Sequence, residues 1–473
     1  MRYFLTSSIL LAAVCLLSFS VLRGNMHQKD NDDEAAAVVR QIYDVALTQS
    51  ECYENLRYLA TRIGARISGS PQAAAAVEWG RQTLDKLDID STYLQPCMVP
   101  HWVRGPQEKA RIISRHIGFQ EVNVCALGNS IGTGKWGISA PVVEIKSLDD
   151  LKKLDKKSVA GKIVFLNKQM DSKLINTFGA YSGCVNNRYE GPSAAAKMGA
   201  VGFLLRSLAS NEDEWPHTGN SSYEAGVEKI PAAAIATRDA ELLSGLLQKD
   251  TDLRFYLNMQ CELLPDAPSY NVIGEIKGSD YPDEVVLVGG HLDSWDNGQG
   301  AHDDGAGVVH SIEVLHLFKK LHIKPKRTVR CVLFMNEENG ARGAEAYAKL
   351  AAQNGEKCIL AIESDAGGFS PRGFSIDTPD SLLTAQRLKR LETWKSLFQA
   401  HNLFDFRAGF GGVDINPLKK QGVTCMGLSP DPQRYFDHHH TSHDTFDQVN
   451  KRELELGSAA MASVAFLISE YGW

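Results

Sequence analysis

Gly289-Gly290-His291-Leu292-Asp293-Ser294-Trp295-Asp296 follows directly on Val285-Val286-Leu287-Val288, and Ala301-His302-Asp303-Asp304-Gly305-Ala306-Gly307 begins four residues further on. The unbroken apolar run reads as a strand buried on both faces, the pattern of a parallel sheet covered on each side. It ends in two glycines and a His. Twelve residues after that His, an Asp pair opens a glycine-rich turn leading into a stretch with helical apolar spacing, 307–321. Strand, loop and helix in this order predict an α/β layer. In open α/β sheets the ligand crevice lies at the carboxyl ends of the strands, which is where His291 stands.

The pattern recurs downstream. A strand-like run at 328–335 leads into Asn336-Glu337-Glu338-Asn339-Gly340, and one at 358–362 leads into Glu363-Ser364-Asp365-Ala366-Gly367. One sheet edge would therefore gather His291, Asp303, Glu337, Glu338 and Asp365. A turn-like tract near the C-terminus adds His438-His439-His440-Thr441-Ser442-His443-Asp444-Thr445. Taken singly, each segment reads as something ordinary: a hydrogen-bonded His, a helix cap, a solvated acidic pair, a turn. Taken together, they put imidazole and carboxylate donors at the end of one buried sheet. Bare carboxylates there are unfavourable unless a cation compensates them. Imidazole and carboxylate without thiolate suit zinc at an open, catalytic position. A carboxylate can also bridge two ions, and an ion pair can activate water and polarise a carbonyl. Two adjacent glutamates allow one to bind metal while the other takes a proton.

The remainder of the chain frames this centre. Its 473 residues allow two or three domains, and 43% of them are apolar. A formal charge of −7 leaves no basic footprint, which argues against a nucleic-acid partner. Arg2 precedes an apolar run at 4–22 with small Ser18 and Ser20, read as a signal peptide over 1–20. Left uncleaved, this run is nearly long enough to anchor in a bilayer; after cleavage no stable membrane partner is expected. Residues 21–34 read as a disordered linker. Eight cysteines follow Cys15, without a CxxC pair, so an exported chain could carry one or two disulfides. Helices are expected at 34–46, 53–61 and 71–87, the last capped by Ser70 with Pro71 in its first turn. A later helix would place Leu388, Leu391, Trp394 and Phe398 on one face. From 103 to 264 short β-like runs alternate with turns, and α/β texture returns after Pro265-Asp266-Ala267-Pro268. The catalytic domain is thus expected in two parts, 35–102 and 265–473, around an insert at 103–264.

Two resemblances add to this reading. The order Gly161-Lys162-Ile163-Val164, Ala196-Lys197-Met198-Gly199-Ala200-Val201-Gly202, Ile230-Pro231 resembles the protease-associated domain, a β-rich insert with one or two helices. The order His-x-Asp, Asp-Asp-Gly, Glu-Glu-x-Gly, Ser-Asp-Ala-Gly, His-Thr-x-x-Asp-Thr resembles the co-catalytic two-zinc exopeptidases. Pro100-His101-Trp102-Val103-Arg104-Gly105, Gly298-Gln299-Gly300-Ala301 and Pro325-Lys326-Arg327-Thr328 carry the likeness towards its carboxypeptidases.

The resemblance implies a mostly parallel mixed sheet flanked by helices, with the β-rich insert. It implies a secreted zinc exopeptidase of carboxypeptidase or dipeptidase type, acting on short peptides and expected as a homodimer. An aminopeptidase or a non-catalytic receptor-like member are the alternatives. Carried over by position, His291 and Asp365 would bind one zinc, Glu338 and His440 the other, and Asp303 would bridge them. Glu337 would be the general base, and Asp293 would orient the site. His439 is the runner-up to His440. The resemblance also implies a cis peptide after Asp303. Asn336 departs from the small residue usual before the Glu pair.

Overall fold

The computed structural model describes residues 33–473. The expected signal peptide and nearly all of the expected linker lie outside the described residues. Asp33 and Glu34, assigned to the linker, belong instead to a helical stretch at 33–49. Acidic residues are favourable in a first helical turn. Ala35, Val39, Ile42, Tyr43 and Ala46 bury the inner stripe of this stretch.

One eight-stranded sheet forms the centre of the first unit. Its order is Ser91–Val103, Glu262–Ile276, Arg327–Phe334, Tyr281–His291, Lys357–Glu363, Thr424–Pro430, Pro371–Asp377, Asp405–Ala408. The four strands from Arg327–Phe334 to Thr424–Pro430 are mutually parallel. Antiparallel pairings attach the strands on either flank, except that Asp405–Ala408 joins Pro371–Asp377 in parallel. Side chains alternate across the central strand, so Val286 and Val288 face one core and Val285 and Leu287 the other. The first core is closed by Ala306–Lys320 and Lys451–Tyr471, the second by Arg342–Asn354. Each of these four side chains is at most 3% exposed. Burial of such a side chain contributes roughly 1.5–3 kcal/mol, enough to fix the strand's register and thereby the position of His291.

The two strands Ser91–Val103 and Glu262–Ile276 were not legible as strands, because prolines interrupt both. Ser91–Val103 is an edge strand, where Pro96 and Pro100 need no ladder partner on the open side. The pair forms a ribbon leading to a second sheet, with Trp102 opposite Leu263 and Val103 opposite Glu262. The expected limits of the insert, 102/103 and 264/265, therefore face each other across this ribbon.

The second sheet also has eight strands. Its central strands Ile138–Ile145, Ile163–Leu166, Gly202–Arg206 and Ala232–Ile235 are parallel. This unit is more helical than expected, with Leu148–Lys153, Lys156–Val159, Thr177–Ser182, Val185–Lys197 and Thr237–Leu247. Ser70 caps Pro71–Asp85 through Ala73 N as expected. The helix expected through Leu388 and Phe398 is two helices, Ser381–Glu392 and Lys395–Gln399, with Trp394 buried between them. The eight described cysteines are free thiols, so the one or two disulfides the sequence allowed are not present among them. No helix among the described residues is long and apolar enough to cross a membrane.

Candidate metal centre

His291 ends its strand with its ring 1% exposed. Its Nδ1 lies 3.0 Å from the Asp293 carbonyl oxygen, which turns Nε2 towards the crevice. There Nε2 is 3.2 Å from Asp303 Oδ1 and 3.5 Å from Asp365 Oδ1. On the other side, His440 Nε2 is 3.3 Å from Asp303 Oδ2 and 3.3 Å from Glu338 Oε2. Asp303 thus offers one oxygen to each group. All five donors singled out in the sequence converge, although His440 is 149 positions from His291 (440 − 291). The ring of His439 stacks on that of His440 with centroids 3.5 Å apart, but its Nε2 stays 3.9 Å from Asp303 Oδ2.

Charge and burial indicate what these donors fit. Asp303 Oδ2 is buried and accepts no hydrogen bond. Burial pushes the Asp303 carboxyl up, but His291 and His440 outweigh it and hold the group well below its usual range. Burial, reinforced by Asp303, pushes Glu338 up to about 7. Burial lifts Glu337 well above its usual value. A dry cluster of carboxylates and imidazoles with an orphaned oxygen at its centre fits divalent cations.

Glu337 and Glu338 differ in commitment. Trp295 N donates to Glu338 Oε1 at 3.1 Å, and His440 holds the other oxygen. The Glu337 carboxylate has no hydrogen bond or ion pair among the described residues and lines the cavity beside the donors.

The supporting contacts explain how the loops keep their shape. The Asp293 carboxylate accepts from Asn336 N at 2.7 Å, Glu337 N at 3.1 Å and Glu338 N at 3.4 Å. It therefore grips the turn that carries both glutamates, while its carbonyl, not its carboxylate, orients His291. Asn336 has φ of 75°, and its amide binds Ser68 Oγ and Asn339 Oδ1, which accommodates a residue larger than usual at this place. The Asp303–Asp304 peptide is cis, as the resemblance implied. Asp304 Oδ2 accepts from His291 N at 3.0 Å. A Cβ on Gly290 would sit 2.5 Å from that same oxygen, so the second glycine of the opening stretch makes room for it.

Several residues were missed in the sequence. Asp444 accepts from His302 N at 2.7 Å and Asp303 N at 3.1 Å, fixing the backbone at Asp303. Arg66, fully buried, donates to Leu292 O, Gln299 O and Gly300 O and clamps the loop between His291 and Asp303. Thr218 of the second unit accepts from His440, with its oxygen 3.2 Å from Nδ1. Trp295 and Asp296 also face that unit: Trp295 packs edge-on against Trp102, and Asp296 pairs with Arg104. They tie the loop after His291 to the ribbon and to the second unit. A cavity of about 800 Å³ opens over the donors between the two units.

Residues 271–465 match the model of peptidase family M28. Carboxypeptidase Q of Bos taurus is 37% identical over 422 residues, covering 89% of this chain and 86% of the relative. Carboxypeptidase Q of Homo sapiens is 37% identical over 439 residues, covering 93% and 89%. Among solved structures, a peptidase M28 precursor from Shewanella amazonensis superimposes with a TM-score of 0.87 at 35% identity, covering 93% of this chain and 98% of its own. A zinc aminopeptidase from Bacillus subtilis shares the fold, with a TM-score of 0.62 at 19% identity over 88% of this chain and 94% of its own.

Proposed function

The chain belongs to peptidase family M28, and from that premise we propose that it is a secreted, zinc-dependent carboxypeptidase that cleaves dipeptides or short peptides. The observation that carries the two-metal reading is Asp303, which presents Oδ1 to His291 and Oδ2 to His440. His291 and Asp365 would hold one zinc, Glu338 and His440 the other, and Asp303 would bridge them. Bound zinc would supply Lewis acidity, acidifying water and stabilising the oxyanion of the attacked carbonyl. Glu337 takes the proton of the attacking water and returns it to the leaving amine. Its uncommitted carboxylate beside the donors suits that exchange. Asp293 acts at one remove, by holding the turn from which Glu337 projects. The names of the relatives support carboxypeptidase polarity, and the unit at 103–264 is read as the protease-associated insert. The presence of all five donors and of Glu337 argues against a receptor without catalysis. The family resemblance supports a homodimer, which sedimentation equilibrium tests directly.

The test of polarity is a dipeptide panel with free, N-acetylated and C-amidated ends, run with zinc added or chelated. Activity that needs zinc and a free carboxyl end supports the reading; activity that needs a free amine replaces it with an aminopeptidase. The ligand assignment has its own test. His440→Ala should retain about half of the zinc measured by elemental analysis and lose nearly all turnover. His439→Ala should keep the full complement, because its ring lies farther from Asp303 and the ion pair with Glu338 is made by His440. The reverse result would transfer the role to His439.

A further inference from the structure

Three arginines line the main cavity: Arg188, Arg372 and Arg407. Arg372 pairs with Asp431 and Arg407 with Asp405, and their side chains are 42% and 45% exposed. Arg188 differs in both respects. It is 2% exposed and has no carboxylate within ion-pair distance among the described residues. It stands in the first turn of Val185–Lys197, on the insert side of the cavity. Its Nε donates to Asn220 O at 3.2 Å. Its guanidinium carbon lies 5.6 Å from the Tyr181 ring centroid and 5.2 Å from that of Tyr189. Gly219 lies flat against it, since a Cβ there would come within 2.4 Å of Cζ. The same Tyr181 ring is 5.2 Å from His439, which stacks on His440. The guanidinium is therefore held in place with two rings, Tyr181 and His439, between it and His440.

A guanidinium is charged at every working pH, and burying one without a counter-ion is unfavourable. Each carboxylate lining the cavity has a partner or a proposed role in the reaction. Asp303, Glu338 and Asp365 are the proposed ligands, and Glu337 is the proton carrier. Glu363 accepts from Val413 N and Ile415 N. Asp405 and Asp431 are paired at the mouth. Among the described residues lining the cavity, the charge left with neither an ion-pair partner nor a role in the reaction is positive. A free α-amine would need a spare acid there, whereas a free α-carboxylate has a planar, two-pronged partner waiting. We infer that Arg188 binds the C-terminal carboxylate of the peptide substrate and so sets the end from which the chain is cleaved. This assignment rests on the carboxypeptidase reading above.

The experiment compares wild type, Arg188→Met and Arg188→Lys on one dipeptide as free acid and as C-terminal amide. Circular dichroism and zinc content verify each variant. The readout is the ratio of kcat/KM between acid and amide. Wild type should favour the acid. In Arg188→Met that preference should fall on the order of 100-fold, mainly through KM, as when one partner of a desolvated charged pair is removed. Arg188→Lys should lie between, keeping the charge and losing the fork. Calorimetric binding of the free acid to Glu337→Gln, with and without Arg188→Met, should weaken by a similar factor without any turnover. A wild type indifferent to amidation overturns the carboxypeptidase reading, and the assignment with it. A discriminating wild type with an equally discriminating Met variant overturns Arg188 alone. Should the Met variant not fold, an unchanged preference in Arg188→Lys has the same meaning.

Discussion

Glu337→Gln retains its zinc and loses turnover by roughly 10²–10⁴-fold, the contribution of a positioned general acid–base group. The substitution keeps the size and polarity of the side chain and removes only its ability to carry a proton. Among the described residues its carboxylate makes no hydrogen bond or ion pair with the proposed ligands. The turn that carries it is held through main-chain N–H groups by Asp293, and those contacts do not depend on the side chain at 337. Metal content and thermal stability should therefore stay near wild type, and the loss should appear in kcat. The companion substitution Glu338→Gln should behave differently. Glu338 accepts from Trp295 N and faces His440, so its alteration should lower zinc content along with activity. A Glu337→Gln enzyme with full turnover, or one that loses its metal, would remove the division of labour between the two glutamates.

The difference between what was readable in the sequence and what was not follows from contact range. His291, Glu337, Glu338 and Asp365 were legible because each stands just beyond a dry apolar run, where a charge requires a local explanation, and Asp303 because its Asp pair opens the glycine-rich turn that follows. The buried parallel strands were legible for the same reason. Arg66 carried no such signal: its partners Leu292, Gln299 and Gly300 are 226 to 234 positions away. Asp444 looked like part of a His-rich turn, and its work on His302 N and Asp303 N spans more than 140 positions. Thr218 sits in an ordinary loop and meets His440 222 positions on. The Pro-interrupted ribbon was hidden because its strand pairing is secured by its partner and its edge position rather than by its own composition. The break at Trp394 likewise escaped a periodicity that continues across it.

Without its metal the protein should lose stability as pH rises from about 5 to 8, and zinc should abolish that loss. The groups responsible are the carboxyls that burial forces upward: Glu338 to about 7, Asp444 to about 7 and Glu363 to about 8. In the unfolded chain such groups titrate near 4. Between these limits the folded state binds more protons than the unfolded one, so the stability slope with pH is negative. Below the unfolded values both states are protonated and the groups contribute no penalty; the penalty is complete once pH passes the folded values. A carboxyl that titrates one pH unit higher in the folded state than in the unfolded one costs about 1.4 kcal/mol once ionised, so even a fraction of the differences here amounts to several kcal/mol in sum. Bound cations reverse the balance by favouring the ionised carboxylates, and proton release makes their hold firmer as pH rises. Thermal melts of chelated and zinc-loaded protein at pH 5, 6, 7 and 8 should diverge. The chelated form should fall by roughly 5 °C or more across the series, a few degrees per kcal/mol, while the loaded form holds level or rises. Parallel curves would mean that the carboxylate cluster is already neutralised without metal. Asp303 could then no longer be read as a bridge kept charged for two ions.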